Sequence, residues 1–315
     1  MNGVLCTGNM LVDILVRPVD LSQAQTGTSL VESIEQSLGG NGANAAYAIG
    51  KLGVPVRLVG MVGSDAFGEV VLGKLKSAGV DTSGIRRSLA PTATTVVLVN
   101  GRGDRRFLHR LGSSGEMYLE PDEFEREIQP GMTHYHLATP FTLPRMRTIY
   151  PELLRRARAR GLVTSLDTQW DSQGMWMLEL SACLPMVDVL FANEDEAQML
   201  TGSTDPVKQA AVLREHGAST IVLKRGSEGC AVFSPCEEFH VPAFPVTAVD
   251  TTGAGDCFAG AWLAAACRGL APRDAARIAN AVGAMVVQTL GAVDGVTGWE
   301  ETQRWIVEST PSGII

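Results

Sequence analysis

From residue 135 onward, short apolar runs alternate with stretches of helical period. Residues 135–138, 163–166, 187–192 and 220–223 read as strands, with helices expected over 145–160, 175–183, 194–200 and 207–216. Parallel strands need a crossover, usually a helix, so this alternation commits the chain to a mostly parallel sheet with helices on both faces. The same rhythm opens the chain, with strands at 4–8 and 56–62 and helices at 43–52 and 67–78. A hairpin-like 230–241 and helices at 255–267, 272–290 and 299–307 complete it. The expected fold class is α/β, a three-layer α/β/α sandwich. Two stretches break the rhythm. Residues 11–38 and 84–110 mix β-branched with polar residues, and the turn Asn100–Gly101–Arg102–Gly103–Asp104 is a hairpin signal. They are expected to form a small β-sheet lid inserted into one domain spanning 1–315.

Charge and composition narrow the partners. The net charge of −8 disfavours nucleic acid, whose phosphates need a basic surface. The apolar segment 258–267 stops at Arg268, short of the ~18 residues of a membrane span. No Lys or Arg precedes Arg17, and Asp13 interrupts the first apolar run, so no secretory leader is expected. Six cysteines without C-x-x-C spacing predict neither a disulfide framework nor a zinc site. A cytoplasmic protein is expected, with small-molecule and protein partners both open. His109, His134 and His136 read as ordinary strand residues, not metal ligands.

Asp250–Thr251–Thr252–Gly253–Ala254–Gly255–Asp256 stands just before a predicted helix. Gly253, Ala254 and Gly255 let backbone N–H groups approach a ligand closely. The helix start adds unpaired donors and a positive dipole end, a site for a phosphoryl group. Asp256 in that first turn repels phosphate, so it needs a purpose, such as taking a proton from an attacking hydroxyl. The plainer alternative is a favourable charge at a helix N-terminus.

This segment resembles the second signature of the ribokinase/PfkB carbohydrate kinase family. Four other segments resemble that family's motifs in the same order. They are Gly8–Asn9–Met10–Leu11–Val12–Asp13, Gly39–Gly40–Asn41–Gly42–Ala43–Asn44–Ala45–Ala46, Asn193–Glu194–Asp195–Glu196 and Lys224–Arg225–Gly226–Ser227–Glu228–Gly229. The resemblance implies a ribokinase-like fold and transfer of a phosphoryl group from ATP to a sugar hydroxyl. It implies Asp256 as general base and Gly253, Ala254 and Gly255 as the anion hole. Asp13, Gly40, Asn41 and Asn44 are implied for the sugar pocket, with Phe107 covering a ring edge from the lid or packing beneath it. Lys224, Gly226 and Gly229 are implied for ATP. Asn193 and Glu196 are implied to hold Mg²⁺ through water; three apart at a helix start, they equally fit a capping box. Asp250 and Thr252, with carbonyls near Val286, Thr289 and Gly291, are implied as a K⁺ site, although Asp250 also fits a turn cap. A homodimer through the lid follows from the same likeness.

The sequence also departs from relatives. Asn41 stands where classical ribokinases carry lysine, which disfavours ribose. Asp167–Thr168–Gln169–Trp170–Asp171 lacks the arginine of some sugar-acid kinases, which disfavours 2-keto-3-deoxygluconate. Arg105, Arg106 and Arg110 either reach the acceptor from the lid or are solvated on an exposed hairpin. A nucleoside kinase of the same family is the alternative. Gly40 to Ala45 also fits the dinucleotide fingerprint G-x-G-x-x-A, but it does not follow the first strand and lacks an acid at the required distance. No Walker P-loop occurs.

Overall fold

The computed structural model describes residues 2–20, 28–102 and 104–309. Its strands are β1 (Gly3–Thr7), β2 (Leu11–Arg17), β3 (Ser33–Gly39), β4 (Val56–Gly63), β5 (Ile85–Ser88), β6 (Thr94–Val99), β7 (Arg105–Arg110), β8 (Met132–Leu137), β9 (Val163–Asp167), β10 (Val189–Asn193), β11 (Thr220–Lys224), β12 (Cys230–Phe233) and β13 (Glu238–Val241). Its helices are α1 (Asn41–Lys51), α2 (Ala66–Ser77), α3 (Pro121–Glu127), α4 (Tyr150–Ala159), α5 (Met177–Leu180), α6 (Glu194–Thr201), α7 (Pro206–Glu215), α8 (Ala254–Cys267), α9 (Pro272–Val286) and α10 (Trp299–Glu308).

Among the described residues, nine strands form one sheet in the order β13-β12-β11-β10-β9-β8-β1-β4-β5. Pairing is parallel from β11 to β5 and antiparallel at β11–β12–β13. Successive strand side chains face opposite ways, and the core divides accordingly. Val4, Cys6, Phe191 and Val222 pack with α1, α2, α8 and α9. Leu5, Leu190, Ile221 and Leu223 pack with α4, α6 and α7 on the other face. Strands buried on both faces read as continuous apolar runs, which is why they were visible in the sequence.

The second sheet has the order β3-β2-β6-β7. Residues 21–27 of the expected first lid stretch lie outside the described residues. The expected second stretch needs correction: β5, at its start, pairs in parallel with β4 at the edge of the large sheet, and only β6 and β7 join the small one. The helix expected over 145–160 begins at Tyr150, with Pro151 in its first turn. The one expected over 175–183 shrinks to α5 and a 3₁₀ turn at Leu184–Met186. Proline has no N–H to donate and is tolerated in a helix's first turn, which suits the start of α4 at Tyr150–Pro151.

Helices α1 and α8 meet closely because Gly260 has no side chain. A Cβ there would stand 2.6 Å from the Ala45 carbonyl oxygen and 2.9 Å from Ala48 Cβ. This contact brings the start of α1 against the start of α8.

Candidate active site

Helices α2, α6 and α7 begin with side-chain caps from Asp65, Asn193 and Asp205. Helices α1 and α8 begin with Gly40 and Gly253, whose left-handed φ values are 94° and 72°, and no side chain caps either. A Cβ on Gly253 would fall 2.5 Å from the Ala292 oxygen, so the turn requires glycine. The opening turn of α8 is thus bare of side-chain caps, with its dipole's positive end turned outward.

Asp256 lies in that turn. Asn41 donates through Nδ2 to its Oδ1 and Asn44 to its Oδ2, each at 2.8 Å. The two asparagines lie three apart, on one face of α1. Loss of solvent pushes the Asp256 carboxyl above its usual range, opposed by the Asn44 and Asn41 hydrogen bonds and by the Lys224 charge. The residues expected in the sugar pocket therefore hold the expected base. As a residue, Asp256 is half-buried.

Asp167, Asn193 and Lys224 end neighbouring strands β9, β10 and β11; Asn193 stands in register with Lys224. The ends of parallel strands are where open α/β sheets bind ligands. Lys224 Nζ donates to Asp167 Oδ1 at 2.6 Å, both largely buried. Burial pushes the Asp167 carboxyl up to about 8, with Asp256 and Glu196 adding to the rise and Lys224 opposing it. Desolvation disfavours charge on Lys224, but Asp167, Glu196 and Asp256 outweigh it and raise its pKa. One cation among three carboxylates stays charged, while burial and the repulsion of Asp256 and Glu196 favour a proton on Asp167. A Cβ on Gly255 would be 3.2 Å from Lys224 Nζ, so this ammonium group also faces the bare turn of α8.

Asn193 and Glu196 form a full capping box. The Glu196 N–H donates to Asn193 Oδ1 at 2.8 Å and the Asn193 N–H to Glu196 Oε2 at 3.0 Å. Thr168 Oγ1 also donates to Glu196 Oε2, at 2.7 Å. The capping-box meaning of this pair is thus present, and Glu196 is buried beside the Asp167–Lys224 pair rather than solvated. These hard oxygens, with charge in excess of Lys224, fit a Mg²⁺ that keeps most of its waters. Next to them a cavity of about 480 Å³ opens. Lys224, Gly226, Ser227, Gly229 and Gly255 line its polar end; Phe244, Pro245, Val246, Ala284 and Val287 line the apolar end.

Asp13 in β2 is buried, in register with Ser37 and Thr95. Burial pushes its carboxyl up to about 6; the Thr95 hydrogen bond opposes the rise, and Asp250 and Asp256 add to it. Its Oδ2 lies over Gly39, where any side chain would collide with it. The small sheet thus delivers Asp13 to the group formed by Asp250 and Asp256. Phe107 shares the Asp13 face of that sheet and is 57% exposed.

Of Arg105, Arg106 and Arg110, Arg105 reaches the loop before α8. Arg106 is exposed on the opposite face, and Arg110 donates to the Thr92 oxygen and Thr94 Oγ1 within the lid. Arg105 Nη1 lies 2.9 Å from Asp250 Oδ1 and 2.8 Å from Thr252 Oγ1. It stands where K⁺ was expected. Val286, one of the expected carbonyl ligands, already accepts both the N–H and the hydroxyl of Thr289. His134 and His136 are strand residues as expected. His136 is buried on Ser165, and burial with the Lys224 charge holds it down at about 3.

Sequence reasoning missed Asp167 as the partner of Lys224, and Arg105 as the partner of Asp250. An aspartate ending a buried parallel strand was an available signal for the first. The second pairs a lid strand with the loop before α8, 145 positions away, and left no local trace.

Residues 1–297 match the family described as pfkB family carbohydrate kinase. A probable fructokinase-7 from Arabidopsis thaliana is 30% identical over 98% of this chain and 93% of its own length. A ribokinase II from E. coli, in complex with ATP and Mg²⁺, superposes with a TM-score of 0.84 at 27% identity, covering 98% of this chain and all (100%) of that one. Arabidopsis thaliana ribokinase, complexed with ribose and ATP, has a TM-score of 0.85 at 25% identity, with 97% and 99% covered. The ordered motifs, the ribokinase-like architecture and these likenesses agree: the chain belongs to the pfkB family of carbohydrate kinases.

Proposed function

We propose that this chain phosphorylates a ketohexose of the fructose type with ATP, using Asp256 as general base. The observation that carries this is the Asp256 carboxylate in the bare first turn of α8, oriented by Asn41 and Asn44, with Lys224 alongside. A base with a raised pKa suits removal of a proton from a hydroxyl near neutral pH. Gly253, Ala254 and Gly255 offer their N–H groups to the phosphoryl group in transit, where fixed donors contribute most. Asp13 accepts two sugar hydroxyls, with Gly40 and Phe107 shaping the pocket beside it. ATP takes the cavity lined by Lys224, Gly226 and Gly229. Glu196 and Asn193 hold Mg²⁺ through water, and the ion neutralises phosphate charge when bound.

The fructose assignment follows the curated relatives, which are fructokinases at 28–30% identity. Asn41 in place of lysine is consistent with it. Residues 1–315 act as one unit with its lid. Ile34 and Leu108, 66% and 52% exposed on one face of the small sheet, support a homodimer through that face. Six unpaired cysteines, five of them buried, suit a reducing, cytoplasmic compartment. No helix among the described residues is long and apolar enough to cross a membrane.

ADP release with Mg·ATP across fructose, ribose, other hexoses, sugar acids and nucleosides tests the proposal. Fructose is expected to give the highest kcat/KM. Asp256→Asn is expected to lower kcat by about 10²–10⁴-fold with ATP binding retained. A nucleoside preferred over every sugar, or Asp256→Asn turning over like the wild type, would overturn it.

A further inference from the structure

One ion pair joins the lid to the start of α8. Arg105 opens β7, and its guanidinium crosses to the loop that ends at Gly253. The Asp250 side chain it meets is 1% exposed. The rest of that carboxylate is engaged by protein: the Thr252 N–H donates to Oδ1 at 2.8 Å and the Gly291 N–H to Oδ2 at 3.2 Å. Burial works against the Asp250 charge, yet these hydrogen bonds and Arg105 hold the carboxyl below its usual range. A buried carboxylate needs a positive partner. Here the partner comes from the small sheet, across from the loop that holds Asp250.

A monovalent cation is the other way to supply that charge, and the family resemblance places one on Asp250 and Thr252. A cation in contact with Asp250 Oδ1 and Thr252 Oγ1 would lie against a guanidinium already 2.9 Å and 2.8 Å from those atoms. Two like charges at that range in a buried setting repel strongly. We propose that Arg105 takes the place of the monovalent cation, so that seating the lid, rather than binding K⁺, sets the loop leading into the α8 turn. Asp250 and Thr252 immediately precede Gly253, whose left-handed backbone aims the first N–H groups of α8. Gripping both residues fixes that aim. Arg105 is therefore a positioning residue, and β7 also carries Phe107 on the same face. Lid closure over the sugar and organisation of the phosphoryl site become one event.

This inference rests on the kinase function proposed above, and its test separates the two. Wild type and Arg105→Gln are compared in choline chloride and in KCl at equal ionic strength. Melting temperature is measured without substrate, and kcat and KM with fructose and Mg·ATP. Wild-type kcat and melting temperature should be the same in both salts. Arg105→Gln should lose roughly 5–150-fold in kcat in choline, the usual scale of coupling between two sites. It should regain kcat in KCl, with a rise in melting temperature specific to K⁺. Arg105→Lys, which keeps the charge, should stay indifferent to K⁺. Strong K⁺ stimulation of the wild type, a K⁺-specific rise in its melting temperature, or Arg105→Gln matching it in choline would overturn the proposal. Should Arg105→Gln fail to fold, the wild-type and Arg105→Lys comparisons still decide. Should no sugar be turned over in any salt, the kinase function fails, while the melting arm still reads the cation at Asp250.

Discussion

Asp13→Asn should make the protein more stable while impairing it. Asp13 is a buried carboxylate with Asp250 and Asp256 as electrostatic neighbours, and its pKa is pushed up to about 6. In the unfolded chain a carboxyl of this kind titrates near 3.9. Below that value both states hold the proton and the residue has no net effect. Between about 3.9 and 6 the unfolded chain has released its proton while the folded one retains it, so stability falls as pH rises. Above about 6 the full cost is present: roughly two pKa units, or about 3 kcal/mol. At pH 5 the same relation leaves about half of it. Asparagine keeps the shape, accepts the Thr95 hydrogen bond and carries no charge. Asp13→Asn should therefore gain up to about 3 kcal/mol at pH 8, about 4–5 °C in Tm for a chain of this size, and about half that at pH 5. Urea melts of both proteins at the two pH values, with the KM for fructose measured at pH 8, are the assay. KM should rise, because two sugar hydroxyls lose an anionic acceptor. A less stable variant at pH 8, or a gain of equal size at both pH values, would refute the electrostatic account of this residue.

Asn44→Ala removes one of two hydrogen bonds that lower the Asp256 pKa. The acid limb of the pH profile of kcat/KM should move to higher pH, a shift that a purely structural loss would not produce. Lys224→Met leaves Asp167 buried without its partner, and breaking a buried pair typically costs 3–5 kcal/mol. Chemical denaturation should show that loss, and Lys224→Met with Asp167→Asn should recover most of it. A double variant as unstable as the single would show that packing, not charge, holds the pair.

The architecture was legible in the chain because its causes are local. Buried parallel strands are continuous apolar runs, their crossovers are helices, and both patterns repeat from residue 135 on. The Gly253–Asp256 turn was equally legible, since a glycine there is dictated by the backbone at that position. The Asn193–Glu196 capping box is a spacing of three and needs no tertiary contact. What the chain order concealed depends on distant partners. Asn41 and Asn44 became the holders of Asp256 because Gly260 lets α1 and α8 touch. Asp167 met Lys224 because β10, between their two strands, sets them at one end of the sheet. The edge strand β5 went to the large sheet rather than the lid because its four residues found β4, a pairing no periodicity encodes. Arg105 reached Asp250, where a cation was expected, because the folded lid puts a guanidinium beside a carboxylate that burial would not leave unpaired. Periodicity and backbone constraint act over a few residues and can be read in order along the chain. Charge balance in a buried site is settled by whichever groups the fold brings within hydrogen-bonding distance.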